Sequence, residues 1–138
     1  MPYRPLPNVR RAAALIALVA ALAPGSRAAE SRFPANEELL LDAPPMRGSK
    51  QVPMLVIGNN GAVTIDLWCN SVQGQIVVVA ETVAILMGPK TERACPPERA
   101  RGDEEMISWL SQVTTWRREG DNIVLIGPRT LRFVKATN

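Results

Sequence analysis

Few residues in this chain have side chains suited to chemistry, and the sequence contains no histidine. Without an imidazole there is no Ser-His-Asp or Cys-His relay, and most zinc sites lose a ligand. Cys69 and Cys95 are the two thiol candidates. They are not a C-x-x-C pair, and no histidine is available to lower a thiol pKa. Glu104-Glu105 is a carboxylate pair, but it falls in the first turn of an expected helix, where acids are normally solvated. Gly58-Asn59-Asn60-Gly61 lacks the Lys-Ser/Thr partner and the following helix of a phosphate loop, so it reads as a hairpin turn. Lys50 and Lys90 border turns and Lys135 lies near the chain end. These absences predict no catalytic residue, no metal site and no cofactor.

The N-terminus has the three parts of an export signal. Arg4, Arg10 and Arg11 form a positive start, and Ala12 to Ala23 is an unbroken apolar run. That run is shorter than the roughly 20 residues of a membrane span, so no stable membrane anchor is expected. Pro24-Gly25 breaks a helix, and Ser26-Arg27-Ala28 supplies small residues at the two positions a signal peptidase reads. A signal peptide over 1–28, cleaved near Ala28, predicts a periplasmic or secreted protein. The segment has no cysteine to carry a lipid.

Removing the leader changes the charge. The whole chain has 16 basic and 13 acidic residues, and four basic ones (Arg4, Arg10, Arg11, Arg27) precede Ala28. The remainder has 12 basic against 13 acidic residues, a net charge near −1. Nucleic-acid binding, which needs a basic patch on the folded domain, is therefore not expected. About 110 residues remain, enough for one domain around one core. Export would put Cys69 and Cys95 where disulfides persist, and only one intramolecular pairing exists. Two free thiols are the competing reading.

The elements that must position these residues are mostly strands. Residues 29–50 read as a lead-in, with Leu39-Leu40-Leu41 as a candidate first strand, and 51–138 as the domain proper. Met54 to Ile57 is apolar and leads into the hairpin turn. Beyond it, Val63, Ile65, Leu67 and Cys69 alternate with Thr64, Asp66, Trp68 and Asn70. Gly74 marks a turn or bulge. Strands follow at 76–79 and at 83–87, where Gly88-Pro89 ends the run. One helix is expected, capped by Asp103 and carrying Met106, Trp109, Leu110 and Val113 as its apolar stripe. Strands at 115–118, 122–126 and 130–134 close the chain. The sum is a mainly β (α+β) domain: an antiparallel meander or partly closed barrel with one packed helix.

Four pieces, in order over about 51–134, resemble the META domain family, whose bacterial type is HslJ-like. Cys69-Asn70 with Gly74 is similar to its C-N-x-x-x-G signature, and Thr91 to Cys95 is similar to its T-x-x-x-C segment. The acidic helix from Asp103 resembles the family's, as do Gly120-Asp121-Asn122-Ile123-Val124-Leu125 and Leu131-Arg132-Phe133 at the end. The chain departs from the pattern at Trp68, where many members have glycine, and at Ile76, where many have an aromatic. The resemblance implies a lipocalin-like barrel with a helix, no established enzymatic activity, and a link to envelope stress.

The function expected is thus recognition: a periplasmic binding or stress-protection module contacting an envelope protein or an apolar ligand, as a monomer. The alternative is an inhibitor or assembly accessory for one dedicated partner. Asp66, Trp68 and Asn70 form the candidate binding surface. Trp68 either anchors a partner or lies beneath the segment from Leu39 to Pro53. Asn70 either hydrogen-bonds a turn or contacts a ligand.

Overall fold

The computed structural model describes residues 1–2 and 32–137, and its barrel lies within Ser31–Asn138. Apart from Met1 and Pro2, the leader expected over 1–28 lies outside the described residues. The strands are β1 (Glu37–Leu41), β2 (Met54–Ile57), β3 (Ala62–Asp66), β4 (Ser71–Val79), β5 (Thr82–Lys90), β6 (Thr115–Glu119), β7 (Asn122–Ile126) and β8 (Thr130–Lys135). One helix, α1 (Pro97–Ser111), joins β5 to β6. Among the described residues no helix is long and apolar enough to cross a membrane.

The strands pair in chain order, all antiparallel, and β8 returns to β1, so the expected meander closes into a barrel. Residue alternation explains the ring. Leu39, Leu55, Ile65, Ile123, Leu125 and Phe133 come from five strands, point inward, and are at most 1% exposed. Burying each side chain contributes about 1.5–3 kcal/mol, which makes this interior the main source of stability. β1, set in a lead-in by sequence, is a full member of the ring, paired to both β2 and β8.

Closure is thin at one seam. β5 and β6 share the single residue pair Thr82↔Thr115, with Val83 N–H donating to Thr114 O and Trp116 N–H to Glu81 O. α1 sits at this seam, packed on β5, with Met106 and Leu110 fully buried. The ion pair Lys90–Glu104 ties the end of β5 to the helix, and that hydrogen bond raises the Lys90 pKa.

Three local expectations need correction. The helix starts at Pro97, not after Asp103, and has no side-chain cap bond. A proline at the first helical position needs no N–H partner and already has a helical φ, so the helix starts there without an acidic cap. Asp103 then falls inside the helix, three residues before Met106 and seven before Leu110, on the buried face. Second, β5 runs through Gly88-Pro89 to Lys90. The ladder shifts register here: Gly88 and Pro89 together oppose the single residue between Val72 and Gly74, so this stretch is itself a bulge, where proline's missing N–H breaks no regular ladder bond. Third, β4 starts at Ser71 and runs through Gly74, which pairs with Val63 and Met87 beside that bulge, so the strand begins well before Ile76.

Gly74 is required by close approach. A Cβ there would lie 2.7 Å from Leu86 O and 3.3 Å from Val63 Cγ1. Gly74→Ala should therefore force strand backbones apart and cost about 2 kcal/mol. A urea titration should show a lower midpoint with an unchanged slope.

Two aromatic side chains pack beside the β4–β5 turn. Phe33 meets Trp116 edge-on, with centroids 5.0 Å apart. Trp116 Nε1 donates to Ala80 O at 2.7 Å, and Ala80 has a left-handed φ of 51°. At the surface, Glu119 is held below the usual carboxylate pKa by hydrogen bonds from Arg117 and then Arg132. A lowered folded-state pKa means that this small contribution is present at neutral pH and is lost as acid protonates Glu119.

Candidate functional site

The chemistry-bearing residues meet where the β3–β4 connection, the arm after β5 and α1 come together. Cys69 and Cys95 are joined by a disulfide spanning 26 residues, which ties the arm to the start of β4. Asp103 reaches the same point from the buried face of α1 and is 0% exposed. Its carboxylate accepts the Cys69 N–H at 3.2 Å, the Asn70 N–H at 2.8 Å and the Asn70 Nδ2 at 3.2 Å.

Asn70 is the hub of this arrangement. Its Oδ1 accepts from Thr91 Oγ1 and from the Arg93 N–H, each at 2.9 Å. Its Nδ2 also lies 3.1 Å from Cys95 Sγ. Both amide functions are thereby used, and the side chain is 6% exposed. Thr91 completes the circuit: its Oγ1 accepts the Ser71 N–H at 3.0 Å and its own N–H donates to Ser71 O at 2.9 Å. The structural reading of Asn70 therefore fits its geometry, with loop and side-chain partners in place of a ligand.

Such a cluster braces the fold and has little capacity for proton transfer. Asp103 holds three N–H donors and has no exposed oxygen to offer a substrate. Sγ atoms of Cys69 and Cys95 and an Asp103 oxygen lie within 4.8 Å of one another, as metal ligands would. The two sulfurs are bonded to each other, however, and a disulfide offers no thiolate to a metal.

Trp68 is half-buried, packed against the core, and does not stand free on the surface. Gly102 of α1 is the point where it meets Met46, since a Cβ there would lie 2.6 Å from Met46 Cε and 3.0 Å from Trp68 Cε3. The cover thus comes from the helix together with the segment after β1. The indole Nε1 is buried with no partner among the described residues.

Beside the brace lies an open cleft of about 540 Å³ on the outer wall of the barrel. Its floor follows the cross-strand row Leu40, Met54, Asp66 and Ser71, which are consecutive register partners from β1 to β4. Lys50, Gln51, Val52, Asn70 and Arg93 also line the cleft. Asp66 is half-buried and accepts from Ser71 Oγ at 2.6 Å. Asp66 and Asn70 from the candidate surface line this cleft, and Trp68 does not. The sequence reading missed Lys50, Val52, Met54 and Arg93; the outward positions of Met54 and Leu40 were its available signal.

A model of the META domain family matches residues 37–138. The chain belongs to that family. No match was found among curated protein sequences. The META domain barrel here is similar to an NMR structure of a protein from Burkholderia xenovorans, with TM-score 0.60 and 14% identity over 75% of this chain and 84% of that one. A second NMR structure is similar at TM-score 0.55 and 14% identity, covering 72% of this chain and 88% of the other. These likenesses show the fold. The residues that carry the META signature in this chain, Cys69, Asn70, Gly74, Thr91 and Cys95, sit in the brace or at the adjoining bulge.

Proposed function

We propose that this META domain protein is an exported, non-catalytic recognition module that protects the bacterial envelope under stress by binding an envelope protein or an apolar ligand. One observation carries the reading. The polar groups of the brace are spent on one another, while the cleft beside them keeps the apolar side chains of Leu40, Val52 and Met54 and charged side chains outside any ion pair found among the described residues. A catalytic site needs a base or nucleophile held by an orienting partner, and the buried carboxylate best placed for that, Asp103, is engaged by three N–H donors. Export is supported by the leader-like pattern before Ala28 and agrees with the disulfide, which would persist outside the cytoplasm.

The export step has its own expected result. Intact-mass measurement of protein from the soluble periplasmic or secreted fraction should give an N-terminus near Ala29. A membrane-bound product starting at Met1 or Pro2 would contradict it. The binding step is tested by partner capture with the purified, non-reduced protein, followed by stress tolerance in cells lacking it. Hydrolytic turnover by the purified protein, abolished by one carboxylate substitution, would overturn the non-catalytic reading.

A further inference from the structure

We propose that the outer-wall cleft takes the free C-terminal end of a polypeptide whose last residues are apolar; this rests on the recognition reading above and names the ligand class. Three kinds of group meet in the cleft. Leu40, Val52 and Met54 are half-buried and give an apolar bed on the solvent side of the barrel. Lys50 and Arg93 also line the cleft and stand exposed, and neither belongs to an ion pair among the described residues. Asp66 shares the lining, with one oxygen bonded to Ser71 and no cation paired to it among the described residues.

The charge pattern selects among ligands. A plain apolar molecule would leave all three charges unanswered and strip water from them, at a cost. An aliphatic carboxylate would answer the two cations but bring its apolar stem past the Asp66 carboxylate, which has no donor to receive from it. A polypeptide terminus supplies every partner in one short segment. Its carboxylate answers Lys50 and Arg93 through charge-assisted hydrogen bonds. Its backbone N–H donates to the free oxygen of Asp66, and its last side chains cover Leu40, Val52 and Met54. Because the neighbouring Asn70 and Asp103 are locked in the brace, this wall keeps its shape when the cleft is empty, which lowers the ordering cost of binding.

The experiment is fluorescence polarisation with the purified, non-reduced protein. The probe is a mixture of N-terminally labelled peptides of about eight residues, ending in Val, Leu, Ile or Phe and bearing either a free or an amidated C-terminus. Free-carboxyl peptides should bind, and amidation should weaken binding by about tenfold or more, the usual loss when a charged hydrogen bond is removed. Lys50→Glu, Arg93→Glu and Asp66→Asn should each weaken it by a similar factor, in proteins whose circular dichroism is unchanged. Arg101→Glu, an equal change of charge on the exposed side of α1, should leave binding intact. Equal binding of amidated peptides would overturn the proposal, as would an Arg101→Glu loss matching that of Arg93→Glu. So would binding to zwitterionic phospholipid vesicles with none to peptides. Capture of amidated peptide or vesicles that Arg93→Glu abolishes would leave the recognition reading standing; catalytic turnover would remove that reading separately.

Discussion

Replacing both cysteines (Cys69→Ser with Cys95→Ser) is expected to destabilise the protein by about 3.5 kcal/mol. The 26-residue separation sets that scale through the entropy regained by the unfolded chain when the link is cut. For a domain of this size, such a loss should lower the thermal midpoint by about 15 °C or more. Native contacts add to it. Without the bond, the arm around Cys95 keeps its hold on β4 only through Asn70, Thr91 and Arg93. A thermal melt of the non-reduced wild type, the reduced wild type and the double variant tests this. Reduced wild type and variant should melt alike, well below the oxidised protein. A midpoint unchanged by reduction would show that the bond contributes nothing to stability.

Asp103→Ala should be at least as damaging, by about 4 kcal/mol. The carboxylate is fully buried and accepts three N–H groups, so deletion leaves buried donors of Cys69 and Asn70 unsatisfied. Each hydrogen bond to a charged group contributes about 1.5–3 kcal/mol when its partner is then left stranded. Asn70→Ala removes one of the same donors, the side-chain Nδ2, so the double variant should cost clearly less than the sum, by more than about 0.5 kcal/mol. Urea unfolding of the two single variants and the double variant measures that coupling. Strict additivity would mean that Asp103 and Asn70 do not act as one brace. No loss on Asp103→Ala would remove the brace altogether.

The sequence by itself determined the sheet and its inside. Val63, Ile65 and Leu67 alternate with polar neighbours, and a pleated strand converts that alternation directly into an inner and an outer face. Gly58-Asn59-Asn60-Gly61 determined a turn, since Asn60 Oδ1 binds the Ala62 N–H and Gly61 takes a φ of 80°. β7 was legible to the residue because turn residues flank a run of apolar side chains. The pairing of Cys69 with Cys95 was open only to the alternative of free thiols.

Only the tertiary structure decided where polar side chains would be buried, because that depends on partners distant in the chain. Asp103 looked like a solvated cap by local rules. In the fold it turns inward, because donors 33 and 34 residues away in sequence wait for it on the β3–β4 connection. Its spacing from Met106 and Leu110 placed it on the apolar stripe, and that was the signal for burial. Ala80 likewise carries no turn chemistry of its own. Its left-handed backbone is held where its carbonyl receives Trp116 from β6, a contact between strands separated by the helix. Trp68 could not be assigned by alternation, since β3 ends at Asp66 and Trp68 lies in the β3–β4 connection, where exposure depends on what packs over it. Gly102, lacking a side chain, lets α1 approach its ring closely, and Met46 reaches the same point. The cleft is tertiary for the same reason: its row of Leu40, Met54, Asp66 and Ser71 exists only once four strands are aligned in register.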